Sequence, residues 1–236
     1  MDLSENPIRT ELHNHILPGV DDGVASLEES LAVLGRYAEW GYRRVIITPH
    51  IMAGYYPNEE SDLRKRRDEL QNAVDAAGIT IQLRVAAEYF LDETLVERAQ
   101  NRSLLTLGGN WLLVETDFLS RPFSLAHQVF ELQVRGYRIV LAHPERYLYM
   151  HREPSIYQEL RDKGVRFQLN LFSLIGYYGP EIRHFAEYLV ERGWVDLIGS
   201  DLHGQRHLSV MEKALTSPMY RKVVELGLAN DHLPWE

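Results

Sequence analysis

The chain contains no cysteine. Disulfides, thiolate zinc sites and cysteine nucleophiles are therefore excluded. Lysine is scarce: Lys65, Lys163, Lys213 and Lys222 fall in helical patterns or at helix ends. No apolar run approaches the length of a transmembrane helix. The opening "MDLSENPIRTE" has no apolar core of the kind a signal peptide requires, so a cytoplasmic location is expected. Positive charge is also in deficit. A net charge of -9 argues against nucleic acid as a bulk electrostatic partner. It leaves an anionic substrate open, because bound cations can reverse the sign of a local field. Low-complexity segments, linkers and repeats are absent from the reading, and the sequon Asn101-Arg102-Ser103 is taken as a chance occurrence.

What is present is alternation. Short apolar runs rich in branched residues predict strands over 10–14, 44–48, 79–86, 111–115, 138–142, 166–171 and 195–199. Helical patterns lie between them. Ser26 with Glu29 reads as a capping box, followed by Leu27, Leu31, Leu34 and Ala38 on one face and a stop at Gly41. Residues 58–78 read as a polar amphipathic helix with Leu63, Leu70 and Val74 inward, ending at Gly78. Further helices are predicted over 122–135, 155–163 and 180–192, each followed closely by glycine. Such βα alternation implies a parallel sheet with right-handed crossovers. The number of repeats in 236 residues suggests one α/β domain closed, or nearly closed, into a barrel, with an open doubly wound sheet as the alternative.

The polar residues fall where the strands end. His13 and His15 follow the first, His50 the second, Glu88 the third, Glu115 the fourth and His143 the fifth; Asp201 and His203 follow the seventh. In a parallel barrel those ends meet at one mouth, where catalytic residues gather. Period-2 alternation would put His13 and His15 on one side of a strand, within reach of one cation. With Asp22 included, the imidazoles and carboxylates form a nitrogen and oxygen donor set suited to Mn²⁺, Zn²⁺ or Fe²⁺. They are too many for one ion, so two or three are expected. Without cations, mutual repulsion would raise some of the carboxylate pKa values.

Each fragment has a bland reading. H-x-H, "TPH" or "DLH" alone is weak, and Glu88 alone would be a solvated carboxylate; shared placement at successive strand ends outweighs this. His127 and His184 fall in helices, His151 and His232 in polar loop or tail contexts, and all are read as structural or solvent-facing. Asp21 and Asp22 precede Gly23, so an Asx turn accounts for one of them. Tyr55, Tyr56, Tyr177 and Tyr178 read as rim packing rather than substrate contacts.

"LHNHILPGVDDG", "TPH", "AAEYF", "LLVET", "LAHPERY" and "GSDLH" stand in the order and spacing of the PHP (polymerase and histidinol phosphatase) superfamily. The chain most resembles its bacterial manganese-dependent protein-tyrosine phosphatases of capsular and exopolysaccharide operons, over about Glu11 to His207. The resemblance implies a distorted (β/α)7 TIM-like barrel, a single domain over the whole chain, and up to three divalent ions. Those would be Mn²⁺, with Fe²⁺, Mg²⁺, Co²⁺ or Zn²⁺ as alternatives. It assigns His13, His15, Glu88 and Asp201 to a first metal, Glu88, Glu115 and His143 to a second, and Asp22, His50 and His203 to a third. Arg146 matches an arginine that contacts substrate phosphate; Arg206, in a shifted register, is a weaker candidate, and His207 weaker still. Glu11 and Ile51 depart from the family pattern.

The activity implied is hydrolysis of phosphotyrosine by a hydroxide bridging two metals, the partner being the C-terminal tail of an autophosphorylated bacterial tyrosine kinase. Rival readings are a small-molecule phosphatase acting on histidinol phosphate or a nucleotide, an amidohydrolase with a lysine-derived metal bridge, and a non-catalytic regulator that binds metal or phosphotyrosine.

Overall fold

The computed structural model describes residues 3–101 and 104–235, so Arg102 and Ser103 of the sequon lie outside the described residues. The strands are β1 (Thr10–Glu11), β2 (Arg44–Ile47), β3 (His50–Ile51), β4 (Gln82–Val85), β5 (Glu88–Phe90), β6 (Trp111–Glu115), β7 (Arg138–Ala142), β8 (Arg166–Asn170) and β9 (Leu197–Gly199). All of their pairings are parallel. One sheet has the order β1-β2-β4, the other β3-β5-β6-β7-β8-β9. Between and after them run α1 (Leu27–Glu39), α2 (Glu60–Ala76), α3 (Glu93–Asn101), α4 (Leu125–Val134), α5 (Leu148–Arg152), α6 (Ser155–Asp162), α7 (Pro180–Glu191), α8 (Leu208–Leu215) and α9 (Pro218–Val224). None is long and apolar enough to cross a membrane.

Two predicted strands, 44–48 and 79–86, are each followed by a second short strand, β3 and β5, beyond the predicted range. Pro49 separates β2 from β3, because it has no N–H to give the ladder. The run continues in direction across the break: Ala86 N–H donates to the Ile47 carbonyl at 2.8 Å, and Glu88 N–H to the Pro49 carbonyl at 3.0 Å. The first strand is shorter than 10–14; His13 and His15 lie beyond it, flanking an isolated bridge between Asn14 and Leu202.

The strands are buried on both faces, which explains their unbroken apolar runs. Ile46, Leu113, Val140, Ala142 and Leu197 join Leu12 and Leu233 in a small inner cluster. Their neighbours Val45, Ile47, Leu112, Val114, Ile139 and Leu141 face the helices in the main core. Period-2 alternation thus separates an inner from an outer layer, as a curled parallel sheet requires. Residues near the C-terminus link β1 to β9: the Asn230 amide donates to the Thr10 and Ile198 carbonyls at 3.0 and 2.8 Å and accepts from Ile198 N–H at 3.0 Å. At the other end Asp201 N–H donates to the His13 carbonyl, and His15 N–H to that of Leu202, at 2.6 and 2.9 Å.

Some local expectations change. The buried face of α1 is Ser30, Val33, Leu34 and Tyr37, while Leu27 is exposed, because the helix turns its tyrosine edge to the sheet. Ser26 caps Glu29 N–H as expected, but Glu29 reaches Ala25 N–H and Gln205 N–H instead of closing on the cap residue. His151 sits on α5, not in a loop; its ring stacks on Phe185 at 3.8 Å and hydrogen-bonds the Glu145 carbonyl at 2.7 Å. Leu63, Leu70 and Val74 are inward as predicted.

Candidate metal centre

Strand geometry delivers the titratable residues to one end of the sheet. His50 opens β3 and Glu88 opens β5, in register with each other. Glu115 closes β6, His143 follows β7, and Asp201 and His203 follow β9. The nearest approaches centre on Glu88. Its Oε2 lies 3.2 Å from His13 Nε2, 3.4 Å from His15 Nε2 and 3.3 Å from His50 Nδ1. Its Oε1 lies 3.0 Å from His143 Nε2. Asp201 Oδ1 faces the same His13 and His15 nitrogens at 3.6 and 3.3 Å. His50 Nδ1 meets Glu115 Oε1 at 3.0 Å, and its Nε2 looks outward to Asp22 at 3.6 Å, with His203 Nε2 3.7 Å from the same carboxylate.

Eight of the nine residues expected as metal ligands fall in groups whose donor atoms lie close enough to share an ion, and His143 touches Glu88 beside them. The eight form three groups in which one donor atom from each member lies within 4.8 Å of the others: His13, His15, Glu88 and Asp201; His50, Glu88 and Glu115; and His15, Asp22, His50 and His203. This partition differs in detail from the one the resemblance implies, since His50 joins Glu88 and Glu115 while His143 stands outside the groups, touching Glu88. Nε2 of His13 and His15, Nδ1 of His50 and Oε2 of Glu88 are buried without a hydrogen-bond partner among the described residues. Orphaned buried donors and acceptors are costly unless something else satisfies them, and a divalent cation bound by nitrogen and oxygen fits this set.

The electrostatics point the same way. Burial alone would neutralise Glu88 and Asp201, yet His13 and its neighbours hold both well below the ordinary carboxylate range. The expectation of raised carboxylate pKa values does not hold at these positions, because imidazoles surround them. Burial likewise pushes His13 down, but Glu88 and Asp201 outweigh it and carry it to about 9. The buried acids thus demand positive charge, which protons or metal ions can supply; a metal must displace the protons. His203 behaves differently, lowered to about 4 by burial and by His15.

Residues not assigned to the site from sequence hold the ligands in place. Gln168 Oε1 accepts from His13 Nδ1 at 2.7 Å, and its amide nitrogen donates to the Leu169 carbonyl at 2.8 Å. That orientation puts the His13 proton on Nδ1 and leaves Nε2 for the centre. Asp21 does the same for His15, with Oδ2 2.8 Å from Nδ1. It also makes the expected turn to Gly23 N–H and takes His50 N–H at 3.1 Å; the charged His15 holds its pKa at about 2 against burial. Glu11 is buried and accepts from His13 N–H, Ser200 N–H and the Ser200 hydroxyl. Burial lifts it to about 7 despite those bonds. His143 and Asp201 are the non-glycine residues with positive φ among those described, at 33° and 53°. Backbone held in that sparsely populated region collects at functional sites.

Arg146 Nη1 donates to Asp201 Oδ2 at 2.5 Å, so the arginine stands beside the cluster. Its guanidinium lies 4.3 Å from the Tyr178 ring centroid and 4.8 Å from that of Phe118. Tyr56 stacks on His50 at 5.2 Å. Tyr56 and Tyr178 thus pack on site residues, while Tyr55 and Tyr177 are exposed at the rim. Arg206 is exposed and forms no hydrogen bond or ion pair with the described residues, whereas His207 is buried and accepts from His203 N–H at 3.1 Å. Ile51 is buried in the main core. All four lysines lie on α2, α8 and α9 or cap α6, away from the centre, which removes the basis for a lysine-bridged amidohydrolase. Gln168, and Asn170 whose amide donates to Asp201 Oδ2 at 3.2 Å, had a legible signal: polar residues at period 2, in step with Arg166, in a strand whose alternate positions are apolar.

The family model for capsular polysaccharide synthesis, CpsB/CapC, matches residues 9–225. Tyrosine-protein phosphatase YwqE of Bacillus subtilis (strain 168) is 30% identical over 218 residues, which cover 89% of this chain and 86% of that protein. Among solved structures, one from the work on YwqE from Bacillus subtilis and CpsB from Streptococcus pneumoniae, described as metal-dependent tyrosine phosphatases, superposes with a TM-score of 0.81 at 28% identity, covering 92% of this chain and 91% of the other. Histidinol phosphate phosphatase from Lactococcus lactis shares the fold, with a TM-score of 0.58 at 12% identity over 93% of this chain and 94% of the other.

Proposed function

Because the chain belongs to the capsular polysaccharide synthesis CpsB/CapC family, we propose that it is a metal-dependent protein-tyrosine phosphatase. The observation that carries the proposal is the convergence of His13, His15, Asp22, His50, Glu88, Glu115, His143, Asp201 and His203 on one site beside Arg146. The proposed ligand sets are His13, His15, Glu88 and Asp201 for a first ion, Glu88, Glu115 and His143 for a second, and Asp22, His50 and His203 for a third. His50 also faces Glu115 and is available to the second. Mn²⁺ is the proposed metal, in keeping with the mixed imidazole and carboxylate donors. When bound, such ions supply Lewis acidity and bring water within reach of ionisation near neutral pH.

The chain's own residues do the rest. Asp201 turns one oxygen to His13 and His15 and the other to Arg146, so a single carboxylate couples the ligand set to the phosphate-binding arginine. Arg146 offers a planar fork of donors to the phosphoryl oxygens. Phe118 and Tyr178 cover its faces and restrict it to in-plane bonding. A phenolate leaves more readily than an alkoxide, so an aryl ester needs little help from a general acid. Arg206 is proposed as a further anion contact from the rim, supported by its exposure next to His207.

The barrel belongs to the same reading. With β2 and β3 counted as one strand and β4 and β5 as another, the sheet becomes a seven-position distorted (β/α)7 barrel spanning a single domain. The Asn14–Leu202 bridge and the Asn230 side chain support closure between its ends. The proposed substrate is a phosphotyrosyl tail of a bacterial tyrosine kinase, met in the cytoplasm where such kinases find ATP.

The test is turnover of p-nitrophenyl phosphate and a phosphotyrosine peptide by Mn²⁺-loaded protein. Activity should vanish on exhaustive chelation and return with Mn²⁺. Asp201→Asn and His143→Ala should each lower kcat at least about 100-fold with circular dichroism unchanged. Full activity after metal removal, or preference for histidinol phosphate or a nucleotide, would refute the reading.

A further inference from the structure

The wall beside the centre has a chemistry of its own. Phe118 stacks on His143 at 5.4 Å and 22°, packs on Tyr147 at 5.4 Å, and carries the Arg146 guanidinium over its ring at 4.8 Å. It remains partly exposed. Its backbone is fixed: Leu148 N–H donates to its carbonyl at 2.8 Å, and Asp117 beside it makes an Asx turn to Leu119 N–H and Ser120 N–H at 2.8 and 2.7 Å. Beyond it, Leu119 and Phe123 stand in solvent at 62% and 111% relative exposure. Opposite, across Arg146, lies Tyr178. Asp22, flanked by His50 and His203, has a side chain 54% exposed.

From this arrangement we infer that Phe118 is a specificity-determining residue that receives the aryl ring of the substrate along the Phe118–Arg146 wall. The inference rests on the phosphatase reading above and adds where the leaving group lies. A phosphoryl group seated between the ligand cluster and Arg146 must direct its ester oxygen outward. A departing phenolate gathers negative charge, which the Arg146 guanidinium beside Phe118 favours. On that side the surface is a preorganised aromatic edge, and aromatic pairs in offset or edge contact gain energy beyond area burial. A tyrosyl ring can lie along Phe118 while its phosphoryl group meets Arg146, whose guanidinium is 4.8 Å from the Phe118 ring. A seryl ester has no ring to place against Phe118.

The experiment is calorimetric titration of phenylphosphonate, methylphosphonate and inorganic phosphate into Mn²⁺-loaded wild-type protein and the Phe118→Ala and Phe118→Leu variants. Wild-type protein should bind phenylphosphonate about tenfold more tightly than methylphosphonate. Phe118→Ala should lose about five- to tenfold of that preference, and Phe118→Leu should fall between, while phosphate affinity changes less than about threefold. Phe118→Leu keeps apolar volume against Arg146 and His143, so it informs even where the alanine variant fails to fold. An unchanged aryl preference in the variants would overturn the inference. So would a parallel loss for all three ligands, which is the signature of a prop for Arg146 and nothing more. Binding is read independently of turnover: an aryl preference without p-nitrophenyl phosphate hydrolysis would sink the phosphatase reading alone, and hydrolysis without an aryl preference would sink this inference alone.

Discussion

Single residues decide which nitrogen each histidine offers. A ring nitrogen that donates to an oxygen leaves the other as a lone pair, and Asp21 and Gln168 impose this on His15 and His13. Asp21→Asn should keep the turn to Gly23 but weaken the fixed tautomer and remove a buried negative charge. A 10- to 100-fold loss in Mn²⁺ affinity is expected, roughly the scale for groups that orient a ligand; calorimetric titration of Mn²⁺ into metal-free protein would measure it, and unchanged affinity would contradict the role. The proposed ligands other than Asp22 were legible in the sequence, because each stands at or just after the end of an apolar run; Asp22 entered through the resemblance alone. Asp21 was legible only as a turn. Its second oxygen points at His15 and His50, and that direction depends on a loop path that spacing does not encode.

At the scale of elements, the site depends on two segments approaching closely. A Cβ on Gly199, the last residue of β9, would sit 2.5 Å from His13 Cβ. Backbone conformation does not require glycine there; space does. Gly199→Ala should force His13 aside, at about 1–3 kcal/mol for overpacking. In a chain of this size that amounts to several degrees of melting temperature, roughly 2–4 °C per kcal/mol. A thermal melt with and without Mn²⁺ would show it, and an unshifted melting temperature would mean that the segments part freely. Helix existence was read well where the pattern was long, as in α2. The face of α1 was read in part: Leu34 is buried and Leu31 and Ala38 pack against the core, but Leu27 is exposed and Val33 and Tyr37 were not named. Only the neighbouring sheet chooses which face is buried.

For the whole molecule, the charges gathered at the mouth link metal binding to stability. The proposed ligands come from after β1, from β3, β5 and β6, and from after β7 and β9, so an ion bound among them would tie together parts of the chain distant in sequence. Anything that binds only the folded state stabilises it by mass action, about 2.7 kcal/mol at a hundredfold excess over Kd. Mn²⁺ at that excess should therefore raise the melting temperature by roughly 5–10 °C, and chelation should reverse it. No difference between loaded and chelated protein in differential scanning calorimetry would mean that the ligands do not act as one site.

By itself the sequence determined the parallel α/β alternation, the burial of strands on both faces, and the strand-end imidazoles and carboxylates. Each of these follows from local periodicity and from the short reach between a strand and the residue after it. Only the tertiary structure decided how those residues divide into groups, with His50 turned to Glu115, His143 against Glu88, and Arg146 locked to Asp201. It also decided that Asn230 joins β1 to β9. Those outcomes depend on distances of a few ångströms between side chains far apart in the chain, and they are set by packing, which no periodicity records.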